Sequence, residues 1–299
     1  MSNGWSYSQL GAIDSEGVYL RDGAINVQIL YNNIYVVKGG VRTSWQPVLV
    51  RGNTLTRFSG DGMNITGSNA TVEYNTIQDI LEVSGTHNDS IQIDANFAGM
   101  CDPNPNDDQN ISHFTNMVFR GNQIYAQRDP TNPFPGIGHG ITTFGGVSIH
   151  DSLFENNIIQ VPHQWGITIT GAKNVIVRNN TTYGCHPDAG TSPGVVIDYD
   201  PNVTCPQTGN EAYNNIAAIT RAYGGTTGSN ISINPCSDPL QRDYFIDAPN
   251  YNFHLNPTGN PPTRAIDGGN NSHASSIDYE KDARPYNGTV DIGADEYRP

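Results

Sequence analysis

The chain has 299 residues, 36% hydrophobic and 15% charged, with 32 glycines and 19 prolines. Its 29 acidic residues against 15 basic ones give a formal charge of −14 at pH 7, a field that repels phosphate backbones and argues against nucleic-acid binding. The apolar content is too high for a disordered chain, and no apolar run approaches the roughly 20 residues that span a bilayer.

No basic-then-apolar leader opens the sequence, so the chain reads as soluble with no membrane partner; a secreted form already stripped of its leader fits equally. Helical periodicity is nearly absent. In chain order, short β-branched runs bounded by Gly and Asn fall at 25–31, 48–51, 63–66, 70–74, 90–93, 140–143, 167–170, 174–177 and 195–197. Short strands closed by turn residues at this density predict an all-β chain.

Two phrases repeat along it. One carries Asn at Asn32-Asn33, Asn53, Asn75, Asn122, Asn156-Asn157, Asn179-Asn180 and Asn214-Asn215. The other interleaves with it at Asp22-Gly23, Asp61-Gly62-Met63, Asp89-Ser90-Ile91, His139-Gly140-Ile141, Trp165-Gly166-Ile167 and Pro193-Gly194-Val195. Several steps are about 20–28 residues, the range of solenoid repeats. A coil of that size with three short strands and no helix predicts a parallel β-helix over residues 1–235, with the Asn phrase marking one corner of each coil. Asn tolerates left-handed backbone angles, and stacked Asn side chains can share amide hydrogen bonds. Loop insertions are expected at 96–112 and 127–137, and an irregular tail over 236–299 packs on the last coils within the same domain. Cys101, Cys185, Cys205 and Cys236 contain no C-x-x-C pair, which leaves three full pairings or free thiols open. The Asn-x-Ser/Thr sequons follow from the Asn-rich repeat itself.

These phrases resemble the right-handed single-stranded parallel β-helix superfamily, which includes pectate lyases, polygalacturonases, alginate epimerases and phage tailspikes. The segments Tyr251-Asn252-Phe253-His254-Leu255 and Asp291-Ile292-Gly293-Ala294-Asp295-Glu296 look like the C-terminal segment of secreted bacterial members. Fold does not give function.

Stacked coils lie about 4.8 Å apart, so equivalent positions become neighbours. Asp61, Asp89, His139 and Trp165 form one predicted column, with His87, Asn88, His163 and Gln164 just before it. Core-facing isoleucines leave an outward row of Asn64, Gln92, Asp94, Thr142, Thr168 and Asp198. A carboxylate beside imidazoles suits proton transfer, so His87, Asp89, His139 and Asp61 are the catalytic candidates. Asp61 and Asp89 can alternatively be simple turn residues before a corner.

The order Asp61-Gly62, Asn88-Asp89, Gly138-His139-Gly140 is similar to that of polygalacturonases, but Asn88 stands where that family has its general acid and Gly166-Ile167-Thr168 where it has Arg-Ile-Lys. The coils at 152–157, 165–169 and 174–180 resemble those of alginate epimerases. That resemblance implies His87 or His139 as base, Tyr125 as acid, and Arg57 or Arg128 neutralising a uronate carboxylate. Gln92, Trp165, His163 and Asp198 are further substrate-binding candidates, Trp165 as a stacking face for sugar. No cofactor is required; Ca²⁺ held by Asp89, Asp94 or Asp198 is the alternative route to neutralisation.

The expected function is proton abstraction on a uronic-acid-containing polysaccharide by a lyase or C5-epimerase. The runner-up is polygalacturonase-like hydrolysis. A non-catalytic glycan-binding or tailspike-like surface protein is the third reading. The corresponding location is secreted, extracellular or virion-associated, as a monomer or a trimer.

Overall fold

The computed structural model describes residues 6–83, 88–94, 113–143, 146–259 and 265–299. Within them the short β-branched runs are strands, and each pairs in parallel with its equivalents on adjoining coils. Three eight-stranded parallel sheets result among the described residues. Sheet A comprises, in spatial and chain order, Glu16–Tyr19, Gly39–Arg42, Met63–Ile65, Asp89–Ile93, His139–Thr143, Trp165–Thr170, Gly194–Asp198 and Thr220–Ala222. Sheet B runs from Val27–Leu30 to Gly225–Gly228, and sheet C from Asn33–Val37 to Ile231–Ser232. The chain visits A, B and C in turn and returns to A one strand spacing further on. This is a parallel β-helix. No helix among the described residues is long and apolar enough to cross a membrane.

One continuous core fills the coils. Met63, Ile91, Ile141 and Ile167 of sheet A meet Val50, Val72 and Phe119 of B and Leu55, Ile77 and Ile159 of C, all essentially without solvent contact. Phe119 and Phe154 stack on adjacent coils with ring centroids 4.8 Å apart. Each fully buried apolar side chain contributes about 1.5–3 kcal/mol.

The Asn phrase is a ladder. Asn32, Asn53, Asn75, Asn122, Asn157, Asn180, Asn215 and Asn230 each, up to the last, donate Nδ2–H to the Oδ1 of the next at 2.9–3.1 Å. That same Oδ1 also accepts the backbone N–H of the preceding ladder residue, as Asn157 Oδ1 does from Asn122 at 3.0 Å. The left-handed residue is the one before the ladder position, a refinement of the sequence expectation. Tyr31, Gly52, Tyr74, Gly121, Asn156, Asn179 and Asn214 all have φ between 52° and 68°. The chain thus spends one residue on the bend and the next on the amide ladder. This explains why two Asn often occur together.

The tail closes over the B/C corner and the outer face of sheet C. Tyr125, Ile158, Tyr183 and Ile216 pack there against Phe245, Phe253, Ile292 and Ala294. Asn179 Nδ2 donates to the Asp291 carbonyl, and Ala294 N to Thr181 Oγ1. Cys185 and Cys236 form a disulfide between a coil loop and the start of the tail. Cys205 is disulfide-bonded too, so the free-thiol alternative is corrected for the described cysteines. Cys101 and the expected insertion at 96–112 lie outside the described residues. The 127–137 insertion folds back on the C-to-A corner, where Asp79 Oδ1 accepts the Arg128 and Asp129 N–H groups at 2.7 Å and Asn132 Nδ2 donates to the Ile80 carbonyl.

Candidate functional site

The site lies where the chain enters sheet A. A Cβ added to Gly62 would come 3.1 Å from Leu55 Cδ2, and one on Gly140 only 2.7 Å from Ile159 Cγ2. These glycines therefore face the core at a point too crowded for a side chain. The residue before each one faces the opposite side. The register pairs Asp89 with His139, and Met63, Ile91, Ile141 and Ile167 in one line, which puts Asp61, two residues ahead of its strand, in line with Asp89, His139 and Trp165 at the starts of the next three. Gly138, at φ +51°, sits against Ile80 and the Asn88 carbonyl and delivers His139 to this position.

Asp89 and His139 are joined directly: Nδ1 of His139 stands 2.9 Å from Oδ1 of Asp89. Thr142 Oγ1 donates to the same oxygen at 2.7 Å, and Ser90 Oγ anchors the His139 carbonyl. Asp61 Oδ1 accepts the Asp89 N–H at 3.3 Å. Asp89 is fully buried, whereas His139 retains a small exposed edge, 7%. An ionised carboxylate can only accept, so Nδ1 carries the hydrogen and Nε2 is the basic nitrogen.

The His139 ring lies 4.2 Å from that of His163 and 4.6 Å from that of Trp165. His186 follows at 6.0 Å from His163. His163 Nδ1 accepts the Trp165 N–H at 3.3 Å, which leaves Nε2–H as a donor. Burial, reinforced by the neighbouring imidazoles of His139 and His186, pulls His163 down to about 4, so it is neutral near pH 7. The two adjacent imidazoles consequently have different roles available, one as an acceptor of protons and one as a neutral donor.

Beside this cluster an outward row crosses sheet A. The register aligns Tyr19, Arg42, Asn64, Gln92, Thr142 and Thr168. Asn64 Nδ2 donates to Gln92 Oε1 at 3.1 Å, and the Arg42 guanidinium lies over the Tyr19 ring. A cavity of about 590 Å³, lined by Lys38, Arg42, Asp61, Asn64 and Gln92 among others, opens on this row. A second, of about 190 Å³, shares Arg42 and Asn64 and reaches Thr66 and Asp94. Together they make a polar groove along the early coils, where Arg42 is exposed and Lys38 is paired with Asp14 Oδ1 at 2.9 Å, with Glu16 and Asp61 on the same wall.

Several expectations change. His87 lies outside the described residues. Tyr125, Arg57 and Arg128 belong to another face. Tyr125 is in the sheet C strand Gln123–Tyr125, where burial pushes its hydroxyl up to about 12 and Oη donates to Gln123. Its assignment as the acid is corrected. Arg57 is buried between Tyr35 Oη and Asp129 Oδ2, both at 2.9 Å, and fixes the 127–137 loop. Arg128 covers the Tyr125 and Tyr251 rings. None of the three faces the groove, because side chains on different sheets of the coil point in different directions.

The Ca²⁺ set of Asp89, Asp94 and Asp198 does not converge. Asp94 follows Ile93 at the far end of its strand from Asp89, and three strand spacings, about 14 Å, separate it from Asp198. Asp198 is half-exposed and paired with Arg221 at 3.2 Å. His113, His150 and Cys205 are close enough to share a metal, but the Cys205 sulfur is already in a disulfide.

Sequence reasoning missed Lys38, Arg42 and His186 as site members, and placed Thr142 only on the outward row. The signal for the first two was available. Gly40-Val41 aligns with Gly62-Met63, which places Arg42 beside Asn64, but Gly39 stands where later coils have Asp or His.

No protein-family model and no curated protein matches the chain. Among solved structures it is similar to the crystal structure of pectate lyase Pel9A, with a TM-score of 0.36 and 14% identity, covering 96% of this chain and 87% of that one. That similarity is too remote to assign a role to any residue here.

Proposed function

We propose that the protein processes a uronic-acid-containing polysaccharide by removing the proton α to the sugar carboxylate, as a lyase or a C5-epimerase, with His139 as base. The observation that carries this reading is the Asp89–His139 pair, 2.9 Å apart, beside a groove with Arg42 on its wall. Asp89 fixes the tautomer of His139 and balances the charge it gains when it takes a proton. Asp89 is then a positioning residue.

In the proposed reaction Nε2 of His139 accepts the C5 proton, and the electron pair left behind delocalises into the carboxylate. For elimination this pair forms a C4=C5 double bond and expels the glycosidic oxygen, which takes a proton from water. For epimerisation water on the opposite face gives a proton to C5, and His139 releases the proton it took to the hydroxide so formed. The neutral Nε2–H of His163 is placed to donate to negative charge developing beside His139. Arg42 lies three strand spacings from His139, so it suits the carboxylate of a neighbouring sugar along a bound polymer. The disulfide at Cys185–Cys236 fits an oxidising, extracellular setting.

Hydrolysis in the polygalacturonase manner needs two carboxyl groups facing the scissile bond. Asp89 has no exposed surface and its Oδ1 already receives His139 and Thr142, which favours proton abstraction over hydrolysis.

The test is incubation with a panel of polyuronates. Ultraviolet absorbance of an unsaturated product indicates elimination, and an altered epimer ratio without cleavage indicates epimerisation. Reducing ends without that absorbance would transfer the case to hydrolysis. Binding without any change in the polymer would make the protein a glycan-binding module and overturn the proposal.

A further inference from the structure

Three metal-ligating groups from separate segments meet in the C-terminal tail, away from sheet A. His254 lies in the strand Asn252–Leu255 between two buried residues, Phe253 and Leu255, so alternation turns its imidazole off the apolar cluster. Its Nδ1 stands 3.0 Å from Asp295 Oδ1 and 3.9 Å from Glu280 Oε2. All three donor atoms lie within 4.8 Å of one another. A cation with bonds of about 2.0–2.2 Å to nitrogen and oxygen spaces its tetrahedral ligands roughly 3.4 Å apart, and the two measured separations bracket that value.

The surroundings hold these ligands in place. Asp295 Oδ2, the oxygen turned from His254, accepts the Leu255 N–H at 2.8 Å. Tyr279 Oη lies 3.4 Å from His254 Nε2. With a metal on Nδ1, Nε2 must carry the hydrogen and donates it to Tyr279, the outer-shell contact that fixes a metal-binding imidazole. Asp295 is nearly buried, while His254 and Glu280 are about half exposed, which leaves an approach for an ion and its remaining waters.

We propose that His254, Glu280 and Asp295 bind a divalent transition-metal ion, of which Zn²⁺ is the representative, and that the ion clamps the Asn252–Leu255 strand to the closing segment of the tail. A mixed nitrogen and oxygen set with a histidine suits such an ion; Ca²⁺ takes six to eight oxygen ligands. The site is independent of the reaction proposed above, and either can fail without the other.

The test uses the full chain, stripped with chelator and titrated with ZnCl₂ by calorimetry and by thermal melting. Saturable binding near one equivalent and a rise in melting temperature are expected. Glu280→Gln, at a half-exposed position, keeps the fold and weakens binding roughly tenfold or more, as loss of a direct ligand should at least match loss of an outer-shell contact. His254→Gln abolishes the melting shift, and if that variant does not fold, Glu280→Gln decides alone. Absence of saturable binding to the wild type would show that His254, Asp295 and Glu280 form an ion pair only. Equal binding by Glu280→Gln would overturn the site. A shift with CaCl₂ as large as that with ZnCl₂ would also overturn it, moving the cation to the carboxylates of Asp278, Glu280 and Asp282.

Discussion

His139 Nδ1 and Asp89 Oδ1 are 2.9 Å apart although 50 residues separate them in the chain. Parallel stacking produces this proximity, since the two residues open adjacent strands of sheet A in register. Thr142 holds the same carboxylate oxygen from three residues further along the His139 strand. The imidazole is thereby held at both its backbone and its Nδ1 edge, which is the orientation a general base requires.

Replacing His139 with Ala removes the base, and Asp89→Asn removes the charge that fixes its tautomer. Both variants are expected to lower turnover of a polyuronate by roughly 10³–10⁴, the loss seen when a comparable orienting carboxylate is made neutral. Asp89→Asn should cost about 1–3 kcal/mol of stability, since its buried partners keep only part of their hydrogen bonding. Steady-state kinetics beside denaturant melts check this. Undiminished turnover in both variants removes His139 and Asp89 from the reaction.

The coil architecture and the Asp61–Asp89–His139–Trp165 column were legible in the sequence because both follow from periodicity. A repeat phrase states which residues are equivalent, and parallel pairing makes equivalent residues neighbours. What periodicity does not state is which sheet a residue off the repeat phrase belongs to. Tyr125, Arg57 and Arg128 were grouped with the column through the resemblance to alginate epimerases, and all three belong to sheet C or its corner. Arg42 was overlooked for the converse reason. It is on the right row, but its coil lacks the acidic or imidazole residue that marks the later ones.

The Asn ladder predicts a position-dependent cost. Asn157→Ala deletes donors to Asn180 and to the Phe119 carbonyl, and it leaves the Asn122 backbone N–H without its acceptor in a fully buried corner. Such a loss should lower stability by roughly 2–4 kcal/mol. Asn32→Ala, at the exposed end of the ladder, should cost less than about 1 kcal/mol. Urea denaturation of the pair gives the comparison, and equal costs would show that the ladder is not cumulative.

Protonation of His163 should make stability depend on pH in a defined sense. Its folded value, about 4, is below the ordinary 6.5, so between these values the unfolded chain binds a proton that the folded chain refuses. Stability contributed by His163 therefore rises with pH across that window and is lost as the medium is acidified through it. His150, also held near 4 by burial, acts in the same direction. Asp291, raised to about 7 by burial, acts in the opposite one. Comparing wild type with His163→Gln cancels the last two. The difference in melting temperature should grow in favour of wild type between about pH 4 and pH 6.5, and a constant difference would contradict a neutral His163.

Arg42 and Arg57 separate binding from stability. Arg42 is exposed on the groove row, over Tyr19 and in register with Asn64, so its charge is available to a substrate carboxylate. Arg42→Gln should raise KM for a polyuronate about tenfold, equivalent to about 1.4 kcal/mol, with little change in kcat or in the melting temperature. The wild-type affinity should also fall with added salt, and the variant's less steeply. Arg57 is buried against Tyr35 and Asp129, so Arg57→Gln should leave KM unchanged and lower stability by about 1–3 kcal/mol. The reverse pattern, with KM sensitive to Arg57 and indifferent to Arg42, would place the polymer over sheet C and not along sheet A.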